Sequence, residues 1–123
     1  MSSHHLFVYG TLRRGSDNDY ARLLAERGQC IGEARVPGRL YDFGRYPGAR
    51  RTEQPDESIL GEIFYLKEPG AILAALDDYE GSEYERTTVS ATHYQGHSID
   101  CWIYWYVGDD TGRLIASGDW FQR

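Results

Sequence analysis

The sequence predicts a small α+β fold: a mixed, mostly antiparallel β-barrel flanked by two or three short helices. Three observations carry that expectation. β-branched and aromatic runs recur along the chain and only two stretches carry a helical period, without the regular strand-helix alternation of a parallel α/β fold. The run Cys101 to Val107 is bulky on both of its alternating faces, which marks a central strand covered on two sides. No internal repeat or low-complexity stretch points to a solenoid or a linker. The chain's 123 residues suit a single domain spanning 1–123, able to bury roughly two thirds of its unfolded surface without a metal or a disulfide.

The first strand is His5-Leu6-Phe7-Val8-Tyr9, ending at Gly10. A loop to Ser16 leads to a short helix capped by Asp17 or Asn18, carrying Tyr20, Leu23 and Leu24, and terminated by Gly28. Strands follow at Cys30 to Val36 and Gly38 to Phe43, broken at Pro37, and then a Gly-, Pro- and Arg-rich loop from Gly44 to Pro55. Ser58 to Leu66 reads as a strand, and Glu68-Pro69-Gly70 starts a helix that Gly81 stops. Two long strands, Tyr84 to Tyr94 and His97 to Val107, are joined at Gln95-Gly96. The tail from Ser117 to Phe121 is expected to pack back through Trp120 and Phe121.

Composition narrows the function. Thirteen Lys and Arg against nineteen Asp and Glu leave a formal charge of -6, the wrong sign for gripping a phosphate backbone, so no nucleic acid partner is expected. The aromatic run Trp102, Tyr104, Trp105 and Tyr106 is accordingly core rather than a base-stacking platform. The longest apolar runs fall well short of the roughly 20 residues a membrane helix needs, and the N-terminus has no secretory character, so a cytoplasmic protein with no membrane partner is expected. Cys30 and Cys101 are far apart, without a CxxC, and read as two buried thiols. His93 and His97 flank a turn without thiol or carboxylate company, so they read as surface residues and no metal is expected.

Two constellations could carry chemistry. In Tyr9-Gly10-Thr11-Leu12-Arg13-Arg14-Gly15 a strand runs into a glycine turn whose peptide N–H groups can converge on an anion. It has neither the ending of a Walker loop nor a GxGxxG fingerprint, and a plain connection is the alternative. In the second helix Ile72, Leu73, Leu76 and Tyr79 form one apolar stripe, and Glu80 falls within it, four residues after Leu76. Such a carboxylate must be paired, hydrogen-bonded or protonated. Pairing with Arg86 or another arginine, or escape into water, are the structural readings. Burial at a helix C-terminus would instead raise its pKa, as a general base requires. Arg13, Arg14, Arg45, Arg50 and Arg51 sit on two loops, either solvated or facing an acidic ligand.

Together Val8-Tyr9-Gly10-Thr11-Leu12-Arg13-Arg14-Gly15, Tyr46-Pro47-Gly48, Gly61-Glu62-Ile63-Phe64, Leu76-Asp77-Asp78-Tyr79-Glu80-Gly81 and Tyr84-Glu85-Arg86 resemble the γ-glutamylcyclotransferase-like family, and the ending Ser117-Gly118-Asp119-Trp120 resembles that of its bacterial members. The resemblance runs from Phe7 to Val107 and implies a small mixed barrel whose members release 5-oxoproline from γ-glutamyl amines or amino acids. It further implies that Tyr9, Gly10, Thr11 and Leu12 line a pocket for the substrate's α-carboxylate and that Glu80 is the acid/base, with Glu83 as the rival position. Tyr84 and Tyr106 are candidate donors to the carbonyl oxygen. No cofactor is expected, and the partner is a small γ-glutamyl substrate. The alternative is a non-catalytic carboxylate-binding or regulatory module on the same fold. The sequence leaves the leaving group and the oligomeric state open.

Overall fold

The computed structural model describes residues 3–54 and 56–123. Met1, Ser2 and Pro55, the last of which closes the expected loop, lie outside the described residues. Eight strands, two α-helices and a terminal 3-10 turn follow in order: β1 (His5–Val8), α1 (Asp19–Arg27), β2 (Gly28–Pro37), β3 (Arg39–Asp42), β4 (Pro47–Arg50), β5 (Ser58–Leu66), α2 (Pro69–Glu80), β6 (Tyr84–His93), β7 (Ser98–Tyr106), β8 (Arg113–Leu114) and Trp120–Gln122.

The order β1-β5-β2-β6-β7 closes on itself through a parallel contact of β1 with β7 at Leu6 and Trp102, giving a five-stranded mixed barrel. Its lumen is solid: Phe7, Val36, Ile59, Ile63, Cys101, Ile103 and Trp105 are buried in one cluster. The opposite faces of β1, β5 and β7 carry Leu6, Val8, Phe64 and Tyr104 against Leu24 of α1 and Ile72, Leu73 and Leu76 of α2. β7 is thus covered on both faces and touches three strands, the central position its two-faced bulk predicts.

One edge of β7 is shared. β6 occupies the other edge along its whole length, whereas β1 pairs at Trp102 and β4 pairs, also parallel, at Trp105. Between the two, the Tyr9 hydroxyl stands in for a strand: it donates to the Tyr104 carbonyl at 2.6 Å and accepts from the Ala49 N–H at 3.2 Å. These are buried ladder groups that the fork would otherwise leave unsatisfied.

The loop expected over residues 44–55 therefore contains a strand. Pro47 stands at its first position, where a strand tolerates the missing donor, and a Cβ on Gly48 would lie 2.5 Å from Phe43 and 2.8 Å from Tyr106. Contacts distant in sequence impose this strand, so no local period announces it. β8 was equally unexpected; with two residues it is held through β3 and the Ile115 N–H to the Leu40 carbonyl at 2.8 Å. His93 is buried rather than superficial: its Nε2 lies 2.7 Å from the Ile31 carbonyl at the bulge of β2, and its Nδ1 accepts from the Gln95 N–H at 3.1 Å. Its ring is thereby oriented as a structural group. Among the described residues no helix is long and apolar enough to cross a membrane.

Arg13 departs from the solvated-loop expectation. It is 4% exposed, donates to Asp119 Oδ1 at 2.6 Å and lies 3.8 Å from Glu62 Oε2, a carboxylate buried in β5. Phe121 stacks over its guanidinium at 4.2 Å, while Trp120 is buried in the lumen cluster. Of the two tail aromatics only Trp120 packs into the core; Phe121 stays 44% exposed. The tail is thus clamped onto the loop that follows β1.

These contacts fix the expected cost of three substitutions. Replacing Tyr9 by Phe strands two buried backbone groups and should cost about 2–4 kcal/mol in chemical denaturation; a loss below about 1 kcal/mol would mean that the fork does not need its bridge. Asp119→Ala leaves a buried guanidinium with only its weaker partner and should cost about 2–3 kcal/mol. Asp17→Ala, at an ion pair whose carboxylate is 96% exposed, should leave Tm unchanged.

Candidate active site

A cavity of about 280 Å³ opens beside the fork in the sheet. Its walls come from the end of β1 and the turn after it, the start of β4, the C-terminus of α2 and the first residues of β6. The Arg13 N–H closes the turn onto the Gly10 carbonyl at 3.0 Å, and among the described residues no protein acceptor takes the N–H groups of Gly10, Thr11 or Leu12. All three residues, with Tyr9, line the cavity. A wall of unused peptide donors suits a carboxylate or another compact anion.

The turn is held from three directions. Asn18 caps α1 through Oδ1, accepting from the Ala21 N–H at 2.8 Å, and its Nδ2 donates to the Thr11 carbonyl at 2.7 Å. Glu62 accepts the Arg14 N–H at 2.8 Å, and Asp119 holds the Arg13 side chain. Gly10 is required for a reason other than ligand approach: a Cβ there would stand 2.2 Å from Pro47 Cγ. The turn and β4 press together at that point, and any side chain on Gly10 would displace Pro47.

Glu80 is the last residue of α2, partly buried and lining the cavity. Of the three readings open from sequence, the arginine pair is not formed. Arg86 is bound bidentately by Asp77, at 2.7 and 3.0 Å, and the Tyr104 hydroxyl donates to the same carboxylate at 2.7 Å. Asp77 is accordingly held below its usual range, chiefly by the Arg86 hydrogen bonds. Glu80 has no such partner among the described residues, and burial pushes its carboxyl from 4.5 up to about 7. Two carboxylates three residues apart on one helix thus have opposite characters.

The tyrosines divide in the same way. Burial raises the phenols of Tyr9, Tyr84 and Tyr104, with the nearby Glu80 charge adding to the effect, so all three stay neutral. The Tyr84 hydroxyl donates to the Pro47 carbonyl at 2.7 Å, and its ring forms cavity wall. Tyr106 does not line the cavity; it stands behind Glu83, donating to Oε2 at 3.0 Å. Glu83 itself is exposed at the mouth. Tyr46, Pro47, Tyr79 and Tyr104 also line the cavity, unanticipated as site residues. Tyr79, 38% exposed instead of buried in the stripe, stacks on Tyr20 at 4.2 Å and meets Thr11 Oγ1 at 3.3 Å. Tyr46-Pro47 did stand out as a motif, but only tertiary contact brings it to the site. Among the described residues no group of three or more His, Cys, Asp or Glu is placed to hold a metal.

A small mixed barrel with a lateral cavity, peptide donors on one wall and an uncompensated carboxylate on another defines the structural class. The sequence matches the family described as gamma-glutamyl cyclotransferase, AIG2-like, over residues 6–122, and the chain belongs to that family. It is 38% identical to a Vibrio cholerae protein named "Putative gamma-glutamylcyclotransferase", covering 98% of this chain and 97% of that protein. It is 29% identical to the gamma-glutamylaminecyclotransferase of Rattus norvegicus, over 81% of this chain and 76% of the rat protein. The crystal structure of YkqA from Bacillus subtilis superposes with a TM-score of 0.77 at 29% identity, over 97% of this chain; the chain spans 40% of YkqA.

The uncompensated Glu80 carries a stability cost with a defined pH window. Its folded pKa lies above the unfolded value, so the native state holds an extra proton between about 4.5 and about 7, and stability falls as pH rises through that interval. Glu80→Gln should therefore raise stability at pH 8, by on the order of 1–3 kcal/mol, and change it little at pH 4. A gain independent of pH, in paired thermal melts, would contradict the raised pKa.

Proposed function

We propose that the chain is a γ-glutamylcyclotransferase-type enzyme that cyclises a γ-glutamyl amine or γ-glutamyl amino acid to 5-oxoproline and releases the amine. The observation that carries this reading is the Glu80 carboxylate, with no ion-pair partner among the described residues and with a pKa near 7, in one cavity with the N–H groups of Gly10 to Leu12, which no described acceptor takes. Family membership supports the reaction class.

In this reading the peptide donors take the α-carboxylate of the γ-glutamyl unit. That anchors the α-amine near Glu80 and folds the chain so that the amine meets its own γ-carbonyl, instead of the extended form free substrate prefers. The α-amine stands beside a free carboxylate rather than a peptide carbonyl, so it is an ammonium with a pKa above the value of about 8 of a peptide N-terminus. Transfer of its proton to an ordinary carboxylate, more than about 3.7 units below, would be uphill by more than about 5 kcal/mol. Raising Glu80 from 4.5 to about 7 narrows that gap by about 2.5 units, or about 3.4 kcal/mol. The freed amine attacks the γ-carbonyl carbon, the lactam C–N bond forms, and the amide C–N bond to the leaving group breaks. The attacking nitrogen loses two protons in all, one when the ammonium is deprotonated and one as the lactam forms. Glu80 takes each in turn and passes one to the departing nitrogen as the amide C–N bond breaks and the other to the released amine, which leaves as ammonium, so one carboxyl group serves both halves of the reaction.

Incubation with a panel of γ-glutamyl amides and mass spectrometry for 5-oxoproline tests the reaction directly. The kcat/KM profile should be bell-shaped, its acid limb near 7 reporting Glu80 and its alkaline limb above about 8 reporting the substrate amine. Glu80→Gln should lower kcat by at least about 10³-fold while the protein stays folded, and a folded Glu80→Gln protein that still turns over at the wild-type rate would remove Glu80 from the mechanism.

A further inference from the structure

An ion pair that the proposed reaction does not use stands beside the cavity. Arg86 of β6 donates to Asp77 of α2 from Nε at 2.7 Å and from Nη2 at 3.0 Å, and the Tyr104 hydroxyl donates to Asp77 Oδ1 at 2.7 Å. The guanidinium also lies over the Trp102 ring, at 4.4 Å. Neither Asp77 nor Arg86 lines the cavity, whereas Tyr104, which touches the pair, does. Residues three apart on a helix are neighbours, with Cβ atoms about 5–6 Å from one another. Glu80 is therefore within reach of the arginine side chain that ends on Asp77.

The cavity holds nothing else that would compete for that arginine or replace it. The described titratable groups that share it with Glu80 are Tyr9 after β1, Tyr46 before β4, Tyr79 of α2, Glu83 and Tyr84 where β6 begins, and Tyr104 of β7. None of the described lining residues is Lys, Arg or His. Arg13 is held by Asp119, Arg51 by Glu85 and Arg50 by the Gly108 carbonyl. A guanidinium seated on Glu80 would hold it ionised and cover with donors the oxygens that a substrate proton has to reach. Where Arg86 is seated thus decides whether Glu80 can exchange a proton.

Resting on the cyclisation reading, we propose that Asp77 is a positioning residue for Glu80: by binding Arg86 outside the cavity it keeps that guanidinium off Glu80 and leaves the Glu80 oxygens to the substrate. Asp77→Asn preserves the size of the side chain and its contact with Tyr104 but releases Arg86. In a carbon-13 NMR titration of the ligand-free protein the Glu80 carboxyl should then titrate about 1–2 pH units lower than in wild type. The acid limb of kcat/KM should move down with it, and kcat should fall about tenfold as the base weakens. Arg86→Gln should act in the opposite direction, raising the Glu80 titration by about 0.5–1 pH unit, because the Asp77 charge is left beside Glu80 without its guanidinium. Asp77→Asn combined with Arg86→Gln removes both charges and should bring the titration and the acid limb back to within about 0.3 pH unit of wild type.

A pair that serves packing alone would lower Tm in both single variants, leave the Glu80 titration where it was and show no recovery in the double variant; that result would overturn the assignment. If Asp77→Asn does not fold, an unchanged Glu80 titration in Arg86→Gln overturns it without further help. The titration requires no turnover. Opposite shifts in the two single variants of a protein that releases no 5-oxoproline would defeat the cyclisation reading alone, and release of 5-oxoproline with Glu80 titrating alike in every variant would defeat the role of Asp77 alone.

Discussion

The single edge of β7 has to serve two parallel neighbours, and the rest of the site depends on how that conflict is resolved. β1 takes the edge at Trp102 and β4 takes it at Trp105, so the backbone between them has no continuous strand to pair with. An unpaired carbonyl and N–H at such a fork are costly in a buried position. The Tyr9 hydroxyl satisfies one of each, on Tyr104 and on Ala49. The cavity lies beside that phenol, with Tyr9 and Phe7 in its wall, while the lumen of the barrel stays packed with Val36, Ile59, Ile63 and Ile103. The barrel therefore supplies the wall and rim of the site.

Electrostatics at the cavity follow from which carboxylate captures the available cation. Asp77 and Arg86 form a two-point contact that Tyr104 completes, and the geometry of guanidinium and carboxylate makes that pair more favourable than a single-point contact with another acid. Glu80 is left at a helix C-terminus, where the peptide dipole opposes a negative charge, and partly out of water. Its raised pKa costs the fold stability and gives the cavity an acid that titrates near neutrality. A conflict of this kind, tolerated at one place in a well-packed chain, is what a functional site looks like in energetic terms. The buried Arg13, Glu62 and Asp119 group shows the opposite economy: its charges compensate one another and immobilise the turn opposite Glu80.

Much of the architecture was legible because local signals agreed with the final packing. Asn18 and Gly28 bounded α1, Pro69 and Gly81 bounded α2, and the alternating bulk of β7 disclosed a strand covered twice. Glu80 could be singled out because its place on the apolar stripe demanded an explanation. What stayed hidden lies in contacts between distant segments. β4 exists because Gly10 leaves room for the Pro47 ring and Gly48 for Phe43 and Tyr106, and no window of residues 44–55 contains that information. Arg13 read as a loop charge because its partners lie at positions 62 and 119. The pairing of Arg86 with Asp77 rather than Glu80 turned on a rotation about α2 finer than a helical period resolves.

Tyr9, Gly10 and Asn18 show how the same residues bind the levels together. Each satisfies a demand of the fold: Tyr9 bridges the sheet fork, Gly10 yields space to Pro47, and Asn18 caps a helix. Each also shapes the donor wall, since Tyr9 and Gly10 line it and Asn18 holds the Thr11 carbonyl away from the ligand side by donating to it. With that carbonyl occupied and the Gly10 carbonyl tied to the Arg13 N–H, two acceptors of the turn are taken up by the protein while the N–H groups of Gly10, Thr11 and Leu12 have no acceptor among the described residues. In the proposed reading this turn binds an anion without a buried arginine, and the lack of an arginine among the described lining residues leaves Glu80 with a pKa near 7. A guanidinium placed there to bind the α-carboxylate would have pulled Glu80 back toward the ordinary carboxylate range, so the proposed donation by peptide N–H groups and a titratable Glu80 are two consequences of one arrangement.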